Sequence, residues 1–256
     1  MASLLPITAL PATAAIFLLL FARVGAVLML LPVFSDDAVP GRIRLMIALG
    51  MTLGLYGLLS PYVAPFAGRT DALAGILVIE LVTGLALGML VRIVFLAMAT
   101  AGAIISLQVG LTSSLVSDPM QGGQTTTLAK LVSVGAAVVC MAMAVHHLWI
   151  EAIVHSYATF PVGGVPSAGD FAAAAVAVAG RSLTMAVGLA APMIVYGIVF
   201  NVALALAARL APAIQIFFVA QPLNLALGLA LFATMAGAMT TAFATSFAAW
   251  LRTGLG

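Results

Sequence analysis

The chain has 256 residues, of which 64% are hydrophobic and only 6% are charged, and its mean hydropathy is +1.28. This hydrophobic composition excludes a soluble globular domain. Nine basic and seven acidic residues leave a net charge of only +2, and the basic residues are scattered, which excludes a nucleic-acid-binding surface. We predict an all-α, polytopic membrane protein, a single membrane-embedded domain over residues 1–256 with about six to eight long apolar helices arranged as hairpins.

Apolar segments alternate with short breaks rich in proline, glycine and polar residues, and they occupy residues 7–34, 43–59, 72–111, 128–150, 171–206 and 223–251. We expect the second segment to stop at Pro61, the fifth to kink at Pro192 and the sixth to be entered through Pro222. Since about 20 residues suffice to cross a bilayer, the third is either one very long helix or is broken near Arg92 or Gly102. The first run is too long for a signal peptide, and we expect it to be retained.

Glycine pairs four residues apart occur in two of these segments, Gly50 with Gly54 and Gly84 with Gly88. Small residues at this spacing share one helix face and let helix backbones approach closely in lipid. The pattern predicts tight helix packing at both places.

Four charged residues, Arg23, Glu80, Arg92 and Arg181, lie inside or at the edge of apolar segments. A charge at the bilayer centre costs about 2.5–3.5 kcal/mol on insertion scales. Glu80 and Arg92 stand about 18 Å apart along a straight helix and cannot pair there. We therefore expect partners on other helices or other chains. We favour a role in assembly over an ion or proton path, because a coupled transporter usually carries more carboxylates in its spans.

His147, Glu151 and His155 follow one another at a spacing of four residues and would share a helix face. Such a set could hold a zinc ion, but H-E-x-x-H is absent, and polar residues are common at the end of a span. Neither a Gly-x-Ser-x-Gly motif nor a phosphate-binding loop is present. We predict no metal, no cofactor and no enzymatic activity.

The segment Thr112–Thr127, TSSLVSDPMQGGQTTT, differs from the rest of the chain in its polarity and its length. Connections between packed helices usually have about 2–8 residues. Asp118-Pro119 favours a turn, and Gly122-Gly123 permits unusual backbone angles. The segment is either a plain surface loop or a loop that folds into a central opening and blocks it.

A series of different short motifs extends along nearly the whole chain. In order they are Arg23-Val24-Gly25, Leu31-Pro32-Val33-Phe34, Val39-Pro40-Gly41-Arg42, Glu80-Leu81-Val82-Thr83-Gly84, Gln108-Val109-Gly110, Asp118-Pro119, His146-His147-Leu148, Arg209-Leu210-Ala211-Pro212 and Ile216-Phe217-Phe218. In order and spacing they resemble the flagellar biosynthetic protein FliR family and its type III secretion homologues. The chain departs from the family pattern at Gln215, Ala220 and Asn224, where asparagine, glycine and lysine are common. The last departure argues against a role for a charge at position 224.

This resemblance implies a non-enzymatic subunit of the type III protein export gate, in the bacterial inner membrane at the flagellar basal body. One copy would form a hetero-oligomer with several copies of each of two partner membrane subunits, in contact with lipid and not with nucleic acid. Unfolded protein substrates would cross the membrane through the assembly. Residues 1–165 would resemble the larger partner, and residues 170–256 would resemble the smaller, two-helix partner.

The resemblance also implies which residues close the pore and which serve assembly. The family's plug loop falls on Leu115, Val116, Asp118, Pro119, Met120, Gly122 and Gly123. Arg23, Glu80, Arg92 and Arg181 would be buried charges that serve assembly. The alternatives are a stand-alone secondary transporter, an ion channel subunit or an intramembrane enzyme. An inverted repeat would support the transporter, and the sequence shows none.

Overall fold

The computed structural model describes residues 10–32, 34, 39–68, 71–111, 115–118, 123–164, 167–210 and 216–254. Within these ranges the chain forms seven helices, α1 (Leu10–Leu30), α2 (Gly41–Ala67), α3 (Leu73–Val109), α4 (Thr127–Ala142), α5 (Val145–Thr159), α6 (Ala168–Leu210) and α7 (Ile216–Gly254). Two four-residue strands, β1 (Leu115–Asp118) and β2 (Gly123–Thr126), pair as an antiparallel hairpin between α3 and α4.

The predicted all-α membrane class is confirmed, with the short hairpin as an addition that the sequence did not indicate. Among the described helices, five are long and apolar enough to cross a membrane, namely α1, α2, α3, α6 and α7, and α4 with α5 could form a sixth, broken span. These apolar segments form helices because a helix satisfies the polar groups of its backbone within one segment, as lipid requires.

Two helices extend past prolines that the sequence suggested as boundaries. The expected stop at Pro61 is wrong, since α2 continues through Pro61 and Pro65 to Ala67. Likewise, α7 begins at Ile216 and contains Pro222 in its interior. A proline removes one helical hydrogen bond, but leaving the whole following backbone unpaired in an apolar environment would cost more.

The third and fourth apolar segments also differ in continuity. One uninterrupted helix of 37 residues, α3, runs through Arg92 and Gly102. The fourth segment, in contrast, is divided into α4 and α5 at Met143-Ala144, where Ala144 adopts a φ of 58°. A left-handed alanine ends a helix, and no proline or glycine marks this position in the sequence.

The chain divides into two compact units, and each unit consists of separate stretches of the sequence. The first comprises Met1–Arg92, His146–Ala177 and Trp250–Gly256, and the second comprises Ile93–Val145 and Val178–Ala249. These units do not follow the division near residues 165–170. That division concerns likeness to partner subunits, and it stays a prediction.

Each unit has its own apolar core. In the first unit, buried residues from α1, α2, α3, α5 and the turn after α5 form one cluster, namely Leu19, Leu20, Leu59, Val63, Ile76, Tyr157 and Val162. In the second unit, Phe95 of α3 packs edge-on against Phe243 of α7, with ring centroids 5.3 Å apart. Such aromatic contacts stabilise the fold beyond the contribution of the apolar surface that they bury.

Candidate functional site

Arg23 of α1 and Glu80 of α3 form an ion pair in the first unit. Arg23 Nε donates to Glu80 Oε2 at 2.7 Å and Nη2 donates to Oε1 at 2.9 Å, with both side chains 0% exposed. The planar guanidinium matches the carboxylate in a two-pronged geometry, which is the strongest arrangement for such a pair. The partner of each charge therefore lies on another helix of the same chain.

The remaining guanidinium nitrogen of Arg23 binds the C-terminal end of α5. Arg23 Nη1 donates to the carbonyl oxygens of Ser156, at 3.1 Å, and Phe160, at 2.9 Å. The last carbonyls of a helix lack partners within the helix, and their negative dipole end favours a cation. Arg23 also lies 4.1 Å above the ring centroid of Tyr157, a cation–π contact.

Glu80 holds the turn that follows α5. Its Oε1 atom accepts from the Gly163 backbone N–H at 3.3 Å. Gly163 has a φ of +75°, and the Gly164 N–H donates to the Pro161 carbonyl at 3.0 Å, as in a type II turn that requires glycine at its third position. The ion pair thus joins α1, α3, the end of α5 and the turn after it.

Helices α1 and α3, which carry this ion pair, pack closely against each other. A Cβ atom on Gly84 would lie 2.5 Å from the Arg23 carbonyl oxygen, and one on Gly88 would lie 2.8 Å from Leu30 Cβ. The prediction of tight packing is confirmed for this pair of glycines. A Cβ on Gly50 or Gly54 would meet no atom of the described chain within 4 Å, so that prediction is not met within this chain.

The other two predicted buried charges differ from Arg23 and Glu80. Arg92 is half-buried on α3, and Arg181 is exposed on the surface of α6. Burial of Arg181 would therefore need a partner chain, and its expected role stays a prediction. Hydropathy averaged over a long segment does not indicate which side of the helix a single residue occupies.

The predicted plug loop contains the hairpin. Leu115, Val116 and Asp118 lie in β1, Gly123 lies in β2, and Leu115 pairs with Thr126 while Asp118 pairs with Gly123. Pro119, Met120 and Gly122 lie outside the described residues. The antiparallel ladder satisfies backbone polar groups of this segment internally.

The hairpin ends in a cap for the next helix. Thr126 Oγ1 accepts from the Ala129 N–H at 3.3 Å and so caps the N-terminus of α4. Its hydroxyl lies 2.7 Å from Ser106 Oγ, and Ser106 Oγ donates to the Gly102 carbonyl at 2.9 Å. Because Ser106 has a single hydroxyl proton, Thr126 is the donor in that contact. A threonine before an apolar run is a recognisable cap signal, but its link to Ser106 is not.

The histidine set on α5 shows no metal-binding arrangement. His147, Glu151 and His155 are all exposed, and the described ranges contain no group of three or more histidine, cysteine or acidic side chains placed to hold a metal ion.

Comparison with known proteins gives consistent matches over most of the chain. The family described as "Bacterial export proteins, family 1" matches residues 14–250. The flagellar biosynthetic protein FliR of Caulobacter vibrioides is 42% identical over 84% of this chain and 86% of its own length. The FliR of Escherichia coli is 31% identical over 83% of this chain and 81% of its own. The Yop proteins translocation protein T of Yersinia pestis is 27% identical over 82% of each.

Proposed function

We propose that this chain, which belongs to the bacterial export proteins, family 1, lines part of the channel of a type III export gate and closes it with the β1–β2 hairpin. The chain is a membrane-integral component of a flagellar-type export apparatus. We place that apparatus in the bacterial inner membrane at the flagellar basal body. Unfolded protein substrates would pass through the gate, and the role is non-enzymatic.

The observation that carries the closure role is the hairpin itself. It is a short β element inserted between two apolar helices, α3 and α4, in a chain whose other described elements are helices. Because paired strands satisfy part of their backbone polarity, such an element suits the inside of a membrane assembly better than an irregular loop does. Leu115, Val116, Asp118 and Gly123, with Pro119, Met120 and Gly122 between the strands, would then form the plug.

The lengths of α6 and α7 support the proposal that partner subunits cover part of this chain. At 1.5 Å per residue, the 43 residues of α6 extend roughly 64 Å and the 39 residues of α7 roughly 58 Å. The hydrocarbon core of a bilayer is only about 30 Å thick. Large apolar side chains are exposed along α6, including Val176 and Leu210 at opposite ends. Lipid cannot cover both ends, so we propose that partner membrane subunits do, several copies of each of two kinds to one copy of this chain.

The buried ion pair supports a structural role for Arg23 and Glu80 in this assembly. Both oxygens of the Glu80 carboxylate accept hydrogen bonds from Arg23, and one also accepts from Gly163. A carboxylate held in this way is a poor proton carrier, because protonation would leave the buried Arg23 without its counter-charge. This geometry disfavours a stand-alone transporter coupled through Glu80. We propose that Arg92 and the exposed Arg181 contact partner chains.

Deletion of residues 118–123 from the complete export assembly tests the closure role. Reconstituted in planar bilayers, the shortened assembly should conduct ions continuously while its subunit composition stays normal. A second variant, in which a Gly-Ser segment of equal length replaces residues 118–123, separates loss of the plug from shortening of the connection. Replacement of residues 69–70 by Gly-Ser is the control for introducing a Gly-Ser sequence elsewhere in the chain. Wild-type conductance in both hairpin variants would remove the plug from the proposal.

A further inference from the structure

A polar cluster in the second unit holds the end of α3, the helix that precedes the hairpin in the chain. Asn224 Nδ2 on α7 donates to the Gln108 carbonyl at 3.1 Å. Tyr196 on α6 places its hydroxyl 2.8 Å from Asn224 Oδ1 and 3.1 Å from the Asn224 carbonyl, so this hydroxyl orients the Asn224 amide. Tyr196 and Asn224 are half-buried on otherwise apolar helices. A neutral polar pair in such a position is costly unless both members are bonded.

Two glycines bring α6 and α7 close to this turn. A Cβ atom on Gly197 of α6 would overlap the Gln108 side chain, and one on Gly228 of α7 would lie 2.8 Å from Val109 Cγ2. The close approach places the Asn224 amide within reach of the α3 backbone, and the Tyr196 hydroxyl holds that amide. The end of α3 is therefore enclosed by both long C-terminal helices.

The turn after α3 has a defined helix-ending geometry. Gly110 adopts a φ of +86°, and the backbone N–H groups of Gly110 and Leu111 both donate to the Ser106 carbonyl, at 3.0 and 2.9 Å. A left-handed glycine with a bond from the residue after it is a Schellman helix end. Helix α3 therefore ends in a defined geometry at Gly110 and Leu111.

Ser106 contacts both ends of the hairpin segment. Its carbonyl accepts from Gly110 and Leu111 at the entrance, while its hydroxyl accepts from Thr126 at the exit. Tyr196 and Asn224 fix the entrance a half-turn further along α3. Neutral groups of Ser106 are thus bonded to residues before the hairpin, Gly110 and Leu111, and to its last residue, Thr126.

We propose that Tyr196, Asn224 and Ser106 are positioning residues that hold the base of the β1–β2 hairpin in its closed place. The inference rests on the proposed role of the hairpin as a plug. A hydrogen bond contributes about 0.5–1.5 kcal/mol net, which is small enough to break when a substrate displaces the hairpin. Neutral donors and acceptors also let the base open without exposing a charge to an apolar channel wall.

The substitution Tyr196→Phe tests this proposal because it deletes only the hydroxyl and retains the ring. Its matched control is Tyr62→Phe on α2, in the first unit. Both are measured in the complete export assembly by ion conductance in planar bilayers and by hydrogen exchange of the amides of residues 111–126. We expect Tyr196→Phe to raise resting conductance and exchange about three- to tenfold at normal subunit composition, the change expected from losing about one hydrogen bond. Ser106→Ala should act in the same direction, and Tyr62→Phe should change neither quantity.

The hairpin deletion separates failure of this inference from failure of the proposed function. In an assembly that lacks residues 118–123, Tyr196→Phe should add no further conductance. If the deletion leaks while Tyr196→Phe retains wild-type conductance and exchange, the anchoring role is overturned and the plug remains. If neither the deletion nor the Gly-Ser replacement of residues 118–123 leaks, the plug is wrong, and hydrogen exchange alone then decides for or against anchoring. Loss of assembly in Tyr196→Phe would also overturn the inference, since the cluster would then be a requirement for folding.

Discussion

Arg23 and Glu80 stand 57 positions apart in the sequence, yet their side chains meet with N–O distances of 2.7 and 2.9 Å and neither reaches solvent. The same guanidinium binds two carbonyls at the end of α5. One arginine therefore fixes the relative positions of three helices in the first unit. Because every polar atom of the pair is bonded to the protein, removal of either residue has consequences beyond one lost contact.

The first prediction concerns this pair. Arg23→Ala or Glu80→Ala should each destabilise the chain by about 3–5 kcal/mol, because each leaves an uncompensated buried charge. The double variant Arg23→Met with Glu80→Leu should cost much less than the sum of the two single changes. Thermal unfolding of the detergent-solubilised assembly measures all three. Additive losses would contradict the coupling.

In the complete assembly, the single variants should lower the recovered amount of complex more than they change the conductance of complexes already formed. Arg181→Ala, on the exposed side of α6, should also lower recovery if partner chains contact it. Normal recovery combined with altered ion flux would show instead that these charges lie on an ion path.

The second prediction separates the ring of Tyr157 from its hydroxyl. The ring lies against Arg23 at 4.1 Å, whereas the buried hydroxyl has no hydrogen-bond partner among the described residues. Tyr157→Phe should therefore be neutral or slightly stabilising, since a buried unbonded hydroxyl is unfavourable. Tyr157→Leu should lose the cation–π contact, about 0.5–2 kcal/mol. Melting temperatures of the two variants give the comparison, and an equal loss in both would assign the effect to the hydroxyl.

The third prediction compares the two glycine pairs. Gly84→Ala should weaken the contact between α1 and α3, because its Cβ would stand 2.5 Å from a backbone oxygen that cannot move aside. The Cβ added by Gly54→Ala would meet no described atom. This substitution should therefore stabilise the solubilised chain by about 0.5–1 kcal/mol through helix propensity. Both are measured by thermal unfolding. A loss at Gly54 that appears only in the assembled complex would indicate a partner helix on that face.

The fourth prediction concerns the cap of α4. Thr126→Val keeps the shape of the side chain but removes the oxygen that accepts from Ala129 and donates to Ser106. Loss of such a cap costs typically about 1 kcal/mol. Hydrogen exchange at residues 127–130 should accelerate while the middle of α4 stays protected. Unchanged exchange at the first turn of α4 would show that Thr126 does not stabilise it.

Much of the fold follows from the sequence, because long apolar runs have few structural options in a membrane. The runs gave the positions of α1, α3 and α6 to within several residues. They failed at Pro61 and Pro222, where the energetic need for continuous helix outweighs the proline penalty. They also missed the break at Ala144, because a left-handed alanine has no local sequence signal.

Less of the candidate site than of the fold could be predicted from the sequence. That Arg23 needs a partner follows from its apolar surroundings, but that this partner is Glu80 depends on how α1 packs on α3 through Gly84 and Gly88. The carbonyls of Ser156 and Phe160 have no side-chain signature at all. The exposure of Arg181 likewise depends on the direction in which α6 presents its surface, which hydropathy does not contain.

Native mass spectrometry of the intact particle, extracted in mild detergent, decides whether this chain works within a hetero-oligomer. We expect one copy of this chain bound to several copies of each of two other membrane proteins. A stable particle that contains this chain alone, or only further copies of it, would contradict this expectation.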